Sequence, residues 1–110
     1  MDDHQLLELA ARGALGNTSI PDQPLQMIAK GWNPLTDDGD AFRLATKLGL
    51  EIRRGRWPSG ARYVSAHQVW NPNDSCYEDD GVAVNPDACA ATRRAIVQAA
   101  ARIAKELNHG

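Results

Sequence analysis

Trp32 to Leu50, WNPLTDDGDAFRLATKLGL, reads as an opening turn, a capped helix, a helix stop and the first residue of a strand. Thr36 or Asp37 offers a side-chain oxygen to the first free helical N–H groups. Asp37, Asp38 and Asp40 set negative charge where the helix dipole is positive, worth ~0.3–1 kcal/mol each when exposed. Ala41, Phe42, Leu44, Ala45 and Leu48 recur at helical spacing and predict one apolar face. Gly49 supplies a left-handed residue that ends the helix, letting Leu50 fold back on Leu44 or Ala45. Trp32 is expected in the core beneath this helix.

Downstream, Leu50 to Arg54 alternates Leu50 and Ile52 inward with Glu51 and Arg53 outward, the period of a strand. GRWPSG (Gly55 to Gly60) is a turn, and Arg62 to Trp70 is the return strand, rich in β-favouring Tyr63, Val64, Val69 and Trp70. Neither face of that second strand is cleanly polar, as expected when both faces of a sheet are at least partly covered. Asn71 to Gly81 has the residues of a surface loop, and Val82 to Val84 is a short third strand. Asn85 or Asp87 caps a last helix reaching Leu107, with Cys89, Thr92, Ile96, Ala100, Ile103 and Leu107 as its apolar seam.

Upstream, Asp2 or Asp3 caps a first helix that runs to Leu15 and stops at Gly16. Its buried stripe is Leu6, Leu7, Ala10, Ala11 and Ala14, and Glu8 with Arg12 forms an i,i+4 pair. Asn17 to Pro24 is a loop. Leu25 to Ala29 fits a short strand or a single helical turn, and periodicity leaves the choice open. Trp-Asn-Pro occurs at Trp32 and again at Trp70, but the following residues differ, so it is a reused turn and not a repeat. The expected fold is α+β, one domain over residues 1–110: a three-layer α-β-α sandwich whose small antiparallel sheet of two or three strands has helices on both faces.

Of the 110 residues, 43% are hydrophobic and 24% charged, the balance of an ordinary globular protein. A formal net charge of −2 argues against a general binder of nucleic acid or anionic membrane. No apolar run approaches the roughly 20 residues that span a bilayer, so no membrane partner is expected. The opening MDDHQ lacks a basic region followed by an apolar one, and the expected location is the cytoplasm. Cys76 and Cys89 fit no zinc pattern and are expected as reduced thiols, Cys89 buried and Cys76 in the loop. No metal and no cofactor is expected: Asp37, Asp38 and Asp40 read as helix-capping charge, and Glu78, Asp79 and Asp80 as a solvated loop.

The motif WNPLTDDGDAFRLATKLGL, with the distal ATRRAIVQAAARIA (Ala91 to Ala104), resembles the phage ABA-sandwich domain family of small tailed-phage and prophage proteins. Trp32, Asn33, Pro34, Asp38, Gly39, Asp40, Ala41, Leu44, Gly49, Ala91, Arg93 and Arg94 carry the resemblance, which covers about a third of the chain. It implies a three-layer α-β-α arrangement and a phage or prophage source, and it brings no catalytic residues with it.

Candidate chemistry is sparse. His4, His67 and His109 are scattered, with only His67 inside an element, where it reads as a core or rim residue. No serine sits in a nucleophile elbow and no glycine loop has phosphate-binding spacing, so no catalytic residue is assigned. Arg54, Arg56, Trp57, Arg62 and Tyr63 gather at the hairpin and are the expected binding residues, Arg and Trp being types enriched at binding hot spots. The expected function is a non-enzymatic phage accessory role, exercised by binding a host or phage protein such as a host-defence or host-takeover target. The alternative is a small nucleic-acid-associated protein that uses the same hairpin.

Overall fold

In the computed structural model, which describes residues 2–16, 22–68, 70 and 81–109, three helices precede a sheet and one follows it. They are α1 (Asp3–Leu15), α2 (Gln23–Ala29), α3 (Asp38–Leu48), β1 (Leu50–Arg56), β2 (Arg62–Gln68), β3 (Val82–Ala83) and α4 (Ala88–His109). The helix ends follow local side-chain chemistry. Asp2 accepts the Gln5 N–H at 2.8 Å while Gln5 accepts the Asp2 N–H at 3.1 Å, a reciprocal cap. Asp37 caps α3 through the Gly39 N–H at 2.8 Å, and Asp87 caps α4 through the N–H groups of Cys89 and Ala90. Gly49 ends α3 at φ 67°, ψ 43°, the left-handed conformation its sequence position predicts. Leu25 to Ala29, left open by periodicity, lies in the short helix α2.

The sheet is antiparallel in the order β1-β2-β3 and is flanked by helices, an arrangement consistent with an α-β-α sandwich. Its unbroken register pairs Leu50 with Gln68, Ile52 with Ala66 and Arg54 with Val64. Paired residues share a face, so Leu50, Ile52, Arg54, Val64, Ala66 and Val82 point the same way. Onto that face α4 brings Ala91, Ala95 and Ala99. A quarter-turn around α4, Val97, Ala100 and Ala101 meet Leu6, Ala10 and Ala14 of α1 together with Ala41 and Leu44 of α3. The opposite sheet face carries Glu51, Arg53, Tyr63, Ser65 and His67, and Ser65 there is buried.

Small residues set the spacing of the α1–α4 contact. Gly13 is buried in α1, and a methyl group there would collide with the Ala100 carbonyl oxygen of α4. Of the apolar seam that the spacing predicts along α4, Ile96, Ala100 and Ile103 are buried, and alanines outside it widen the packed face. Alanines bear most of the packing, while Cys89, expected as a buried thiol, is exposed at the start of the helix.

The Trp-Asn-Pro turn is fastened to α3 by one carboxylate. Asp40, 9% exposed, accepts the Asn33 N–H at 2.9 Å and the Arg43 guanidinium at 2.6 Å. The Asn33 side chain in turn accepts the Leu35 N–H at 3.0 Å. Pro34 is fully buried, and Trp32 packs half-buried against the α1–α3–α4 core. From α4, Arg93 donates to the Leu35 carbonyl at 2.8 Å and to Asp38 at 2.7 Å, so the turn is gripped from both sides. Arg94 reaches Asp3 of α1 at 3.0 Å.

Four expectations are corrected. Phe42, expected on the buried face of α3, is 71% exposed, because Ala41, Leu44, Ala45 and Leu48 make the contact with the core. Ile52 points toward the α4 side as expected but remains 38% exposed, α4 not reaching over that part of β1. β1 continues to Arg56, two residues beyond the predicted end, and the turn is correspondingly shorter. The second strand stops at Gln68, with Trp70 beyond it 70% exposed. Cys76, the Glu78–Asp80 acidic run and most of the Asn71–Gly81 loop lie outside the described residues.

Two outcomes follow. Gly13→Ala should overpack the α1–α4 seam and cost about 1–3 kcal/mol in a urea melt, although alanine is the better helix former. The Asn33 N–H, followed by the Arg43 guanidinium, holds the Asp40 carboxyl below its ordinary 3.8 against the opposing effect of burial. Stability from this group is therefore intact above 3.8 and drains as pH falls through the lower folded-state value. Asp40→Asn should cost about 1–3 kcal/mol at neutral pH, and urea melts on either side of 3.8 should show the deficit narrowing in acid.

Candidate functional site

The five residues singled out at the hairpin separate into two groups once the register is known. Tyr63 is half-buried on the face away from α4, its ring lying where side chains at Gly55 and Gly81 would otherwise stand. Trp57 stacks on it, ring centroids 5.2 Å apart at 36°. The turn between the strands is closed by Gly60 N–H to the Trp57 carbonyl at 2.8 Å and Trp57 N–H to the Ala61 carbonyl at 2.9 Å. Trp57 and Tyr63 thus hold the hairpin together.

Arg54, Arg56 and Arg62 form the other group, all exposed on the sheet face that α4 covers farther along. Arg56 and Arg62 stand directly opposite in the ladder, and Arg54 is two residues before Arg56. Cross-strand partners lie about 5 Å apart at Cβ and i,i+2 neighbours about 7 Å, so the three cations crowd one patch. No carboxylate among the described residues pairs with any of them. Like charges directly opposite on a sheet are destabilising.

This patch closes one end of an open groove of about 560 Å³ that runs along β1 between α3 and the first turns of α4. β1 contributes Leu50, Ile52 and Arg54, and α3 contributes Phe42, Ala45 and Thr46. Cys89, Thr92 and Ile96 of α4 form the far wall. Trp70 stands at the opposite end, where a Cβ on Gly49 would meet its indole nitrogen at 3.0 Å. The ionisable residues lining the groove are Asp38, Arg54, Cys89 and Arg93. Asp38 and Arg93 are bound to each other, the carboxylate raising the guanidinium pKa further. Arg54 is exposed and has no carboxylate partner among the described residues.

No known protein family, curated protein or solved structure matches the chain. Among the described residues no group of three or more His, Cys, Asp or Glu side chains is placed to hold a metal ion, and no helix is long and apolar enough to cross a membrane. Each carboxylate of the Asp37–Asp38–Asp40 set has a structural partner, as capping residue, Arg93 ligand and turn fastener. His67 is largely buried on the other sheet face, its Nε2 4.0 Å from Glu51 and its Nδ1 without a hydrogen-bond partner. Arg53 bonds Glu51 at 2.8 Å and holds that carboxyl below its usual range.

The groove was not read from the sequence, although its signal is there. Asp38, Phe42, Ala45 and Gly49 form an i, i+4, i+7, i+11 stripe next to the core stripe Ala41, Leu44 and Leu48. An apolar arc that wide on an eleven-residue helix exceeds what one core contact covers.

Dividing the five residues in this way has a measurable consequence. Trp57→Ala should lose the ring pair, about 0.5–1.5 kcal/mol beyond buried area, and lower the melting temperature by several degrees. Arg56→Ala should stay within about 0.5 kcal/mol of the parent. Thermal melts of the two single variants, followed by near-UV circular dichroism, would distinguish them.

Proposed function

We propose that the protein is a non-catalytic phage or prophage accessory protein that acts in the host cytoplasm by binding another protein, of host or phage origin. The binding face is the groove together with Arg54, Arg56 and Arg62. One observation carries the reading: three arginines with no carboxylate partner among the described residues share a face at one end of a largely apolar groove. Evolution toward stability alone would have set a carboxylate opposite Arg56, where Arg62 stands. The phage source rests on the likeness of the Trp32–Leu50 and Ala91–Ala104 motifs to the phage ABA-sandwich family.

Catalysis is disfavoured by the groove's chemistry. A general acid or base must stand within hydrogen-bond reach of a reacting atom, yet Asp38 is tied to Arg93 and, among the described residues, no histidine lines the groove. Nucleic acid is the weaker of the two binding readings. Base stacking needs a free aromatic face beside the cations, and Trp57 gives one of its faces to Tyr63.

The deciding experiment uses a charge reversal that the fold should welcome. Arg62→Glu places a carboxylate across from Arg56, so the melting temperature should hold or rise slightly. Affinity capture from lysate of the phage's bacterial host should lose its specific partner in Arg62→Glu and in Arg54→Glu, and retain it in Lys47→Glu, a change on an exposed helix position away from the groove. Capture that survives both arginine reversals would overturn the assignment of this face.

A further inference from the structure

We infer that the groove receives an amphipathic α-helix of the partner, apolar along one side and acidic at the end that reaches Arg54, Arg56 and Arg62; this rests on the protein-binding reading above. Two features select that occupant. The first is shape. The groove between β1, α3 and α4 is open, with Phe42 of α3 and Ile52 of β1 exposed along it and Leu50 beside them. A helix with its side chains is about 10–12 Å across and would continue the helical layer over the bare strand, in the helix-in-groove mode of recognition. A strand added to the edge of β1 would leave this groove empty.

The second feature is polarity along the groove. Its Gly49 end is bordered by Trp70, exposed and aromatic, and its Arg54 end opens onto three like charges. An occupant apolar throughout would leave the arginines unmatched, and a basic one would be repelled by them. Carboxylates at the Arg54 end satisfy all three, and charge-assisted bonds of this kind are the strong ones. Nearby Asp38 does not compete, because Arg93 holds it.

The test uses synthetic peptides of about 16 residues, ~24 Å as helices, each with Leu and Phe along one face. One carries Glu in its terminal turn, a second Gln there, a third Lys, and a fourth keeps the Glu but has the apolar face replaced by Ala and Ser. Fluorescence anisotropy with the full chain should show the Glu peptide binding about tenfold or more tightly than the Gln peptide, with no binding of the other two. Arg54→Gln, Arg56→Gln and Arg62→Gln combined should bring the Glu peptide to the level of the Gln peptide. Bound Glu peptide should also slow alkylation at Cys89, the exposed thiol lining the groove, as read by mass spectrometry of that fragment.

Equal binding of Glu and Lys peptides would overturn the proposal, as would binding that leaves Cys89 unprotected. A single-stranded oligonucleotide that protects Cys89 at lower concentration than the peptide would reassign the face to phosphate. Self-association abolished by Arg62→Glu would make a second copy of the chain the occupant. If no peptide binds while host capture still depends on Arg54 and Arg62, the helical occupant is wrong and the protein-binding face stands. If capture ignores those arginines, the face itself is wrong.

Discussion

One buried carboxylate sets the geometry on which the rest of the structure depends. Asp40 takes the Asn33 N–H and so fixes the direction in which the chain enters α3. With that turn held, the Leu35 carbonyl and the Asp38 carboxylate face α4, where Arg93 binds both. The position of α4 along the sheet follows, and with it the length of β1 left uncovered. A buried carboxylate is costly unless its lone pairs are used; here a backbone donor and a guanidinium use them, at 2.9 and 2.6 Å. Losing either donor leaves the charge poorly matched and frees the turn. Truncation at Asp40 is therefore felt at the groove, although Asp40 does not line it.

α4 answers the opposite problem, how one helix serves three neighbours. Its Ala91–Ala95–Ala99 line lies on the sheet, Val97, Ala100 and Ala101 face α1 and α3, and Cys89, Thr92 and Ile96 wall the groove. Small side chains let backbones approach closely, as the Gly13–Ala100 contact shows. They also bury little area each, at roughly 25 cal/mol per Å². The polar clamps Arg93–Asp38, Arg94–Asp3 and Arg102–Ala66 carbonyl therefore matter more here than in a leucine-rich bundle. They set helix position where side-chain bulk cannot.

Sequence reading succeeded wherever a feature is local. The caps, each falling on one of the two residues the sequence offered (Asp2, Asp37 and Asp87), and the stop at Gly49 depend on residues within a turn of one another, and the three strands showed as short β-favouring runs whose ends the structure moves. It failed where the answer depends on which of two neighbours a residue meets. Phe42 and Ala41 are adjacent on α3, and no periodicity says that the core takes Ala41 and the groove Phe42. Cys89 was expected inside because helical spacing puts it in line with Ile96 and Ala100, which are buried, whereas at the first turn of α4 that line is exposed. The hairpin was recognised as a cluster, but dividing it needed the register, which puts Tyr63 on one face and Arg54, Arg56 and Arg62 on the other. The residues behind the family resemblance turn out to be those that build the Asp40 turn and the Arg93 and Arg94 clamps. A motif of that kind reports architecture, and chemistry must be sought beside it.

The arginine patch is where local stability and arrangement disagree most clearly. Five other arginines are paired with carboxylates: Arg12 with Glu8, Arg43 with Asp40, Arg53 with Glu51, Arg93 with Asp38, Arg94 with Asp3. Most of these are exposed pairs worth under about 1 kcal/mol, and the lysines Lys30, Lys47 and Lys105 take no part in any of them. What sets Arg54, Arg56 and Arg62 apart is that they stand together, on one face, at the end of a groove whose lining is largely apolar. A single unpaired arginine would be unremarkable on a solvated hairpin. Two directly opposite each other oppose the ladder that carries them, and a third on the same face adds to the repulsion. Groups whose mutual repulsion weakens the free protein gain most from an oppositely charged surface, because binding removes that repulsion while forming new contacts. The affinity of such a face should therefore depend on salt more steeply than that of three independent arginines, screening acting on both the attraction and the relieved strain.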